Sequence, residues 1–232
     1  MIAKLKPQFR IKALILDFDG LILDTEYPEY LSWYEIFQDY GLEFSASEWA
    51  AYIGRGAEEA IYTPYDMLEE RTGLLIDRTA IRNRRRFRFN ELMSAEEVLP
   101  GVIDLIKTAR ELNMKLAVAS SSDQSWVKSH LSSLNLIQYF DVIRCGNEVL
   151  HRKPNPELYL SVLDALAIAC HEAVAFEDSP NGIAAAVAAG ILCVAVPNRL
   201  TIHGNIKAAD VVVESLKDFS LRSLLSHIPN PS

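Results

Sequence analysis

The stretch Ala13-Leu14-Ile15-Leu16-Asp17-Phe18-Asp19-Gly20 decides the architecture. Four apolar residues run into a carboxylate, an aromatic ring, a second carboxylate and a glycine. An apolar run this short, bounded by turn signals, reads as a strand covered on both faces. Side chains alternate along a strand, so Asp17 and Asp19 project to one side and Phe18 to the other. Gly20 permits a sharp exit turn. Two carboxylates ~4 Å apart repel by roughly 4 kcal/mol at an effective dielectric near 20. A hard divalent cation is the natural remedy for that repulsion.

The same pattern recurs downstream. Further apolar strands are predicted at Leu116–Ala119, Val142–Arg144, Ala173–Phe176, Ile191–Val196 and Val211–Val213. Helical periodicity lies between them, at Val102 to Leu112 after Pro100, and at 123–134, 155–167 and 180–189. Strand–helix alternation predicts a doubly wound, Rossmann-like parallel α/β sheet. One region breaks the alternation. Trp33, Ile36, Phe37 and Tyr40 are helically spaced, and 63–71 and 79–93 continue in that style. Residues 27–94 therefore read as an all-helical insert, with 1–26 and 95–232 forming the α/β core.

Composition narrows the function classes. The chain has 232 residues, 50% hydrophobic and 23% charged, with Lys+Arg 23 against Asp+Glu 31. This is globular composition with an acidic balance, which argues against a dedicated nucleic-acid binder. Cys145, Cys170 and Cys193 are odd in number and widely spaced, so no disulfide framework or zinc knuckle is expected. The longest apolar run, 183–196, is too short to span a bilayer, and the first is too short for a signal-peptide core. A cytoplasmic protein that needs no membrane is expected.

Three more constellations sit at predicted strand ends. Ser120-Ser121-Ser122 places a hydroxyl and free N–H groups before a helix, which suits an anion, although simple capping of the helix at Asp123 is the more ordinary use of such a run. Lys153 precedes Pro154, which restricts it to an extended backbone. A lysine in such a loop is ordinarily solvated, but a fixed one acts as a point charge toward phosphate. Glu177-Asp178 follow a strand, and Ser179-Pro180 suit a helix start. Adjacent carboxylates point apart, so one can meet a metal while the other orients a neighbour.

The joint order of Asp-x-Asp, Ser, Lys-Pro and Glu-Asp resembles the haloacid dehalogenase superfamily, over nearly the whole chain. It is most similar to the branch of β-phosphoglucomutase and phosphoglycolate phosphatase, which carries a helical cap. The matching residues are Asp17 to Glu26, Ser120 with Ser121, Lys153-Pro154, and Phe176 to Pro180 with Gly182. Leu21 departs mildly from the family's usual Thr or Val.

The resemblance implies that Asp17 attacks phosphorus and that Asp19 protonates the leaving oxygen and then activates water. It implies Mg²⁺ held by Asp17, the Asp19 backbone carbonyl and Asp178, with Glu177 supporting. Ser120, the Ser121 N–H and Lys153 would hold the phosphoryl oxygens. An acid at Asp19 points to a phosphate ester rather than a carbon–halogen bond. The insert would be a cap that excludes water and reads the leaving group.

Candidate readers are Arg55, Arg82 and Arg84. The last two belong to six arginines within residues 78–88, a stretch that otherwise reads as a solvated face with partners four residues along. The mutases usually carry a histidine shortly after the Asp-Thr, and Asp24 to Glu29 here contains none. The expected activity is thus a Mg²⁺-dependent phosphohydrolase, with a sugar-phosphate mutase as the alternative. The expected partner is a small phosphorylated metabolite, with no nucleic acid, and the expected state is a monomer or weak dimer.

Overall fold

The computed structural model describes residues 11–50, 62–202 and 204–228. Six parallel strands form one sheet in the order β3-β2-β1-β4-β5-β6. They are β1 (Ala13–Leu16), β2 (Lys115–Ser120), β3 (Val142–Cys145), β4 (Ala173–Glu177), β5 (Leu192–Ala195) and β6 (Val211–Val212). Between β1 and β2 lie α1 (Glu26–Asp39), α2 (Ala46–Ala50), α3 (Pro64–Thr72), α4 (Arg78–Met93) and α5 (Val102–Glu111). The remaining crossovers use α6 (Gln124–Ser133), α7 (Glu157–Leu166) and α8 (Pro180–Ala188), and α9 (Leu221–His227) follows β6.

Period-two alternation sorts each inner strand onto two apolar faces. Leu14, Leu16, Leu116, Val118, Val174, Phe176 and Val194 face one way and pack with Val102, Leu105 and Ile106 of α5, Val127 of α6 and Leu221 of α9. Ala13, Ile15, Ala117, Ala119, Ala175, Cys193 and Ala195 face the other way, against Leu158 and Val162 of α7 and Ile183 of α8. The second face is mostly alanine, so α7 and α8 can approach the sheet closely. Burial on both faces explains why these strands read as continuous apolar runs. Each fully buried Leu or Phe contributes roughly 1.5–3 kcal/mol. Cys145, Cys170 and Cys193 are free thiols.

Two ladders run further than the apolar pattern indicates. Ser120 pairs with Cys145, and Glu177 pairs with Ala195. Both residues are therefore last positions of strands rather than loop residues, because backbone pairing does not end where apolar character ends. β1 sits between β2 and β4. The chain turns to one side of β1 and later to the other, which opens a crevice at the carboxyl ends of these strands.

Helices α1 to α4 form the insert and share a cluster of Trp33, Ile36, Phe37, Phe44, Trp49, Met67, Leu68, Ile76 and Ile81. Leu200, from the segment after β5, is buried in the same cluster and so ties the insert to the core. A capping box starts α3: the Asp66 N–H donates to Thr63 Oγ1, and the Thr63 N–H donates to the Asp66 carboxylate. Tyr40 lies one residue beyond α1 and is exposed. Among the described residues, no helix is long and apolar enough to cross a membrane.

The arginine-rich α4 departs from expectation. Its partners lie mainly on other helices. Arg84 pairs with Asp39, Arg85 with Glu29, and Arg88 with Glu35 of α1, while Arg78 pairs with Asp66 and Glu69 of α3. Only Arg88–Glu91 is a pair within α4 itself, at i,i+3. The Arg85 guanidinium also lies 4.8 Å from the Trp33 ring centroid, a cation–π contact. An arginine run can thus serve as an inter-helix fastening, which periodicity along one helix does not show.

Candidate active site

Asp17 leaves the end of β1 with its N–H donating to the Phe176 carbonyl of β4 (3.0 Å), which fixes its backbone at the sheet's edge. Its Oδ1 accepts from Lys153 Nζ at 2.8 Å. That ammonium also donates to the Ala119 carbonyl (2.7 Å) and lies 2.7 Å from Glu177 Oε1. All three of its protons are therefore placed. Lys153 is only 4% exposed, so the ordinary expectation of a solvated loop lysine fails here. An unpaired ammonium would not tolerate such burial, but two carboxylates and a carbonyl compensate it. The Lys153–Pro154 peptide is cis.

Glu177 and Asp178 diverge, as adjacent residues must. Glu177 Oε1 takes the Tyr159 hydroxyl as well as Lys153, and its Oε2 has no partner among the described residues. A Cβ at position 182 would meet that Oε2 at 1.8 Å, so only glycine fits there. Asp178 turns the other way. Its Oδ2 accepts from Asn198 Nδ2 at 2.8 Å, and its Oδ1 is buried without a partner among the described residues. Gly20 has φ +79, and a Cβ there would meet Asp178 Oδ2 at 2.4 Å. Ser179 caps α8 by accepting from the Gly182 N–H, with Pro180 opening the helix.

Asp19 is held by four donors. Oδ1 accepts from Thr25 Oγ1 (2.9 Å) and Trp126 Nε1 (3.0 Å). Oδ2 accepts from Ser120 Oγ (3.1 Å) and Ser122 Oγ (2.7 Å). The neighbouring Ser121 hydroxyl is buried and has no partner among the described residues.

The electrostatics follow from this crowding. Asp17 is raised to about 7 by burial and then by the Glu177 charge, against the opposing pull of Lys153. Asp178 is pushed well above the carboxylate range by burial and by Glu26, Asp17 and Glu177. Glu26, half-buried beside Asn198, is raised to about 8 by desolvation and the charges of Asp19, Asp17 and Asp24. Lys153 is raised despite its burial, because Asp17 and Glu177 face it. Negative charge is in excess here. Oxygens of Asp17, Glu177 and Asp178 lie within 4.8 Å of one another, the spacing of a cation site. Two of these acids carry an oxygen with no other partner, and a hard divalent cation suits an all-oxygen set.

The residues that meet at the ends of β1, β2 and β4 match a known family. Residues 14–196 match the family described as haloacid dehalogenase-like hydrolase. The chain belongs to this family. It is 42% identical over 218 residues to the protein YhcW of Bacillus subtilis, covering 94% of this chain and 98% of that one. It is 31% identical over 181 residues to the phosphorylated carbohydrates phosphatase of Thermotoga maritima, covering 78% and 82%. Among solved structures it resembles a variant of CbbY from Rhodobacter sphaeroides in complex with xylulose-1,5-bisphosphate. The two share 26% identity and a TM-score of 0.71, with 94% of this chain and 99% of that one covered.

In this haloacid dehalogenase-like chain, Asp17, Lys153, Glu177 and Asp178 form one cluster, and Asp19 with Ser120 forms a neighbouring one, brought alongside by the chain at Asp17–Asp19 and at Ala119–Ser120, whose Ala119 carbonyl accepts from Lys153. Its cation-site oxygens come from Asp17, Glu177 and Asp178, whereas the Asp19 side chain is committed to its four donors. The insert arginines are placed differently. Arg84 is exposed and engaged with Asp39, Arg82 is exposed, and Arg55 lies outside the described residues.

Five contributors escape motif reading: Ser122, Trp126, Tyr159, Asn198 and Arg199. Arg199 pairs with Asp24 at 2.8 Å and stacks on Tyr27. They approach the network from distant chain positions. Ser122 is the exception, since it stands in the quoted serine run and only its target was hidden.

Proposed function

We propose that this chain is a Mg²⁺-dependent phosphohydrolase acting on a small phosphorylated metabolite, a sugar phosphate or similar phosphomonoester. The observation that carries the reading is Lys153 Nζ, buried and shared between Asp17 and Glu177 beside carboxylate oxygens that have no other partner. The Thermotoga relative's named activity on phosphorylated carbohydrates supports the substrate class.

In this reading the Asp17 carboxylate attacks phosphorus. An oxygen–phosphorus bond forms on Asp17 while the ester bond breaks. The leaving oxygen keeps the bonding pair and takes a proton from Asp19. Asp19, now ionised, then takes a proton from water as the water oxygen attacks the aspartyl-phosphate. Inorganic phosphate leaves and the Asp17 carboxylate is restored. Ser120, the Ser121 N–H and Lys153 hold phosphoryl oxygens throughout, since positioning and charge neutralisation dominate this chemistry. Asp17, the Asp19 carbonyl and Asp178, with Glu177 supporting, would hold Mg²⁺, which would supply positive charge against the phosphoryl group. Residues 27–94 act as a cap over the carboxyl ends of the strands, and 1–26 with 95–232 form the catalytic core.

A panel of sugar phosphates and other phosphomonoesters, assayed with Mg²⁺ and with EDTA, tests the reading. Free phosphate that depends on Mg²⁺ is expected. Isomerised hexose phosphate without net phosphate release would point to the mutase alternative instead.

A further inference from the structure

The Asp19 carboxylate has two chemically unequal ends. Oδ2 faces two serine hydroxyls, Ser120 and Ser122. A hydroxyl both donates and accepts, so it can rotate and receive a proton from the group it was serving. Oδ1 faces Thr25 and the indole Nε1 of Trp126. An indole N–H donates only. Thr25 can reverse its hydroxyl as the serines can, but the indole cannot, so Oδ1 always keeps one fixed donor and a transferable proton travels preferentially on Oδ2, where both partners can reverse. Ser120 is also the hydroxyl assigned to the phosphoryl group, so Oδ2 is the end nearer the reacting ester.

The indole is itself held by two rings from different parts of the chain. His130, one turn on in α6, lies 4.0 Å away centroid to centroid. Its Nδ1 lies 2.9 Å from the Trp126 carbonyl. Phe89 of α4, on the helical insert, stacks on Trp126 at 5.9 Å with an interplanar angle of 29°. The insert therefore reaches Asp19 through one aromatic stack and one hydrogen bond, Phe89 to Trp126 to Oδ1.

We infer that Trp126 is a positioning residue for Asp19, fixing Oδ2 as the oxygen that passes the proton, and that Phe89 fixes Trp126. The inference rests on the proton-transfer role proposed for Asp19. It separates two jobs around one carboxylate: the serines share it with the phosphoryl group, and the indole orients it.

Leaving-group dependence tests the assignment. A sugar phosphate expels an alkoxide and needs the proton, whereas p-nitrophenyl phosphate expels a stable phenolate and does not. Trp126→Phe keeps a ring in the stack and removes the N–H. Phosphoenzyme formation is followed in single turnovers with Mg²⁺ for both esters. The expected result is a loss on the order of 100-fold with the sugar phosphate, the scale of a misaimed catalytic group. With p-nitrophenyl phosphate the expected loss is under about threefold, and KM for both esters should stay within about twofold. Phe89→Ala should show the same leaving-group pattern with a smaller loss, and its site on the insert keeps the test open if Trp126→Phe folds poorly. Equal losses on both esters, or no loss on either, would overturn the inference. Asp19→Asn is measured alongside. If it transfers phosphate from the sugar ester at full rate, the role of Asp19 fails first. If it is inactive while Trp126→Phe is unimpaired, only the role of Trp126 fails.

Discussion

Charge is dense in two regions of this molecule, and the two handle it in opposite ways. On the insert, arginines of α4 meet acids of α1 and α3, and most of these groups are at least a third exposed. At the carboxyl ends of β1 and β4, Asp17, Glu177 and Asp178 are buried close together with Lys153, with half-buried Asp19 and Glu26 nearby, and among the described residues some of these oxygens remain unpartnered. The first region is mostly paired and hydrated. The second is unbalanced by construction, and imbalance under burial is what calls for a cation and an anionic substrate. The comparison shows that a charge cluster is informative when it is desolvated and unmatched, and much less so when it is merely numerous.

The strongest way to break this comparison is to change the acid at its centre. Asp17→Asn is expected to lower phosphate release by on the order of 10⁴-fold or more, with the fold intact by circular dichroism. Retained turnover would remove Asp17 as nucleophile.

Next in size is Lys153→Met, which strips the buried network of its cation. It is expected to destabilise the metal-free protein by about 3–5 kcal/mol in urea unfolding, with part of the loss recovered on adding Mg²⁺. A cost under 1 kcal/mol would mean the acids are not repelling one another.

A smaller effect follows from pH. Asp17 and Glu26 are raised to about 7 and about 8 in the fold, and Asp178 is raised as well. The folded state then binds more protons than the unfolded one between roughly pH 4 and pH 8, so stability falls as pH rises across that window. In EDTA, Tm is expected to decline over this range, and saturating Mg²⁺ should flatten the decline. A flat profile in EDTA would show that the site tolerates full ionisation without a cation.

The smallest effect belongs to the insert. Arg88→Ala, which breaks a half-exposed pair with Glu35, should cost no more than about 1 kcal/mol. A larger cost by thermal unfolding would mean that the ion pairs do more than fasten α4 to α1.

Much of the site was legible along the chain because its parts sit at strand ends. Asp17, Ser120 and Glu177-Asp178 each follow an apolar run, and parallel strands bring their carboxyl ends to one edge. Lys153 was legible only through its place in the motif order, since its local context suggested a solvated loop. The Arg84–Asp39 pair was not legible, because sequence spacing says nothing about acids on a facing helix.

Local chain chemistry accounts for the α/β alternation, the helical insert, both cappings and the acidic edge, since each depends on residues within a few positions of one another. The partners of the acids are another matter. Trp126 meets Asp19 across 107 residues and Lys153 meets Asp17 across 136. Such pairings depend on how helices cross the sheet, on desolvation and on which neighbours survive the packing. None of these is a property of a window of sequence.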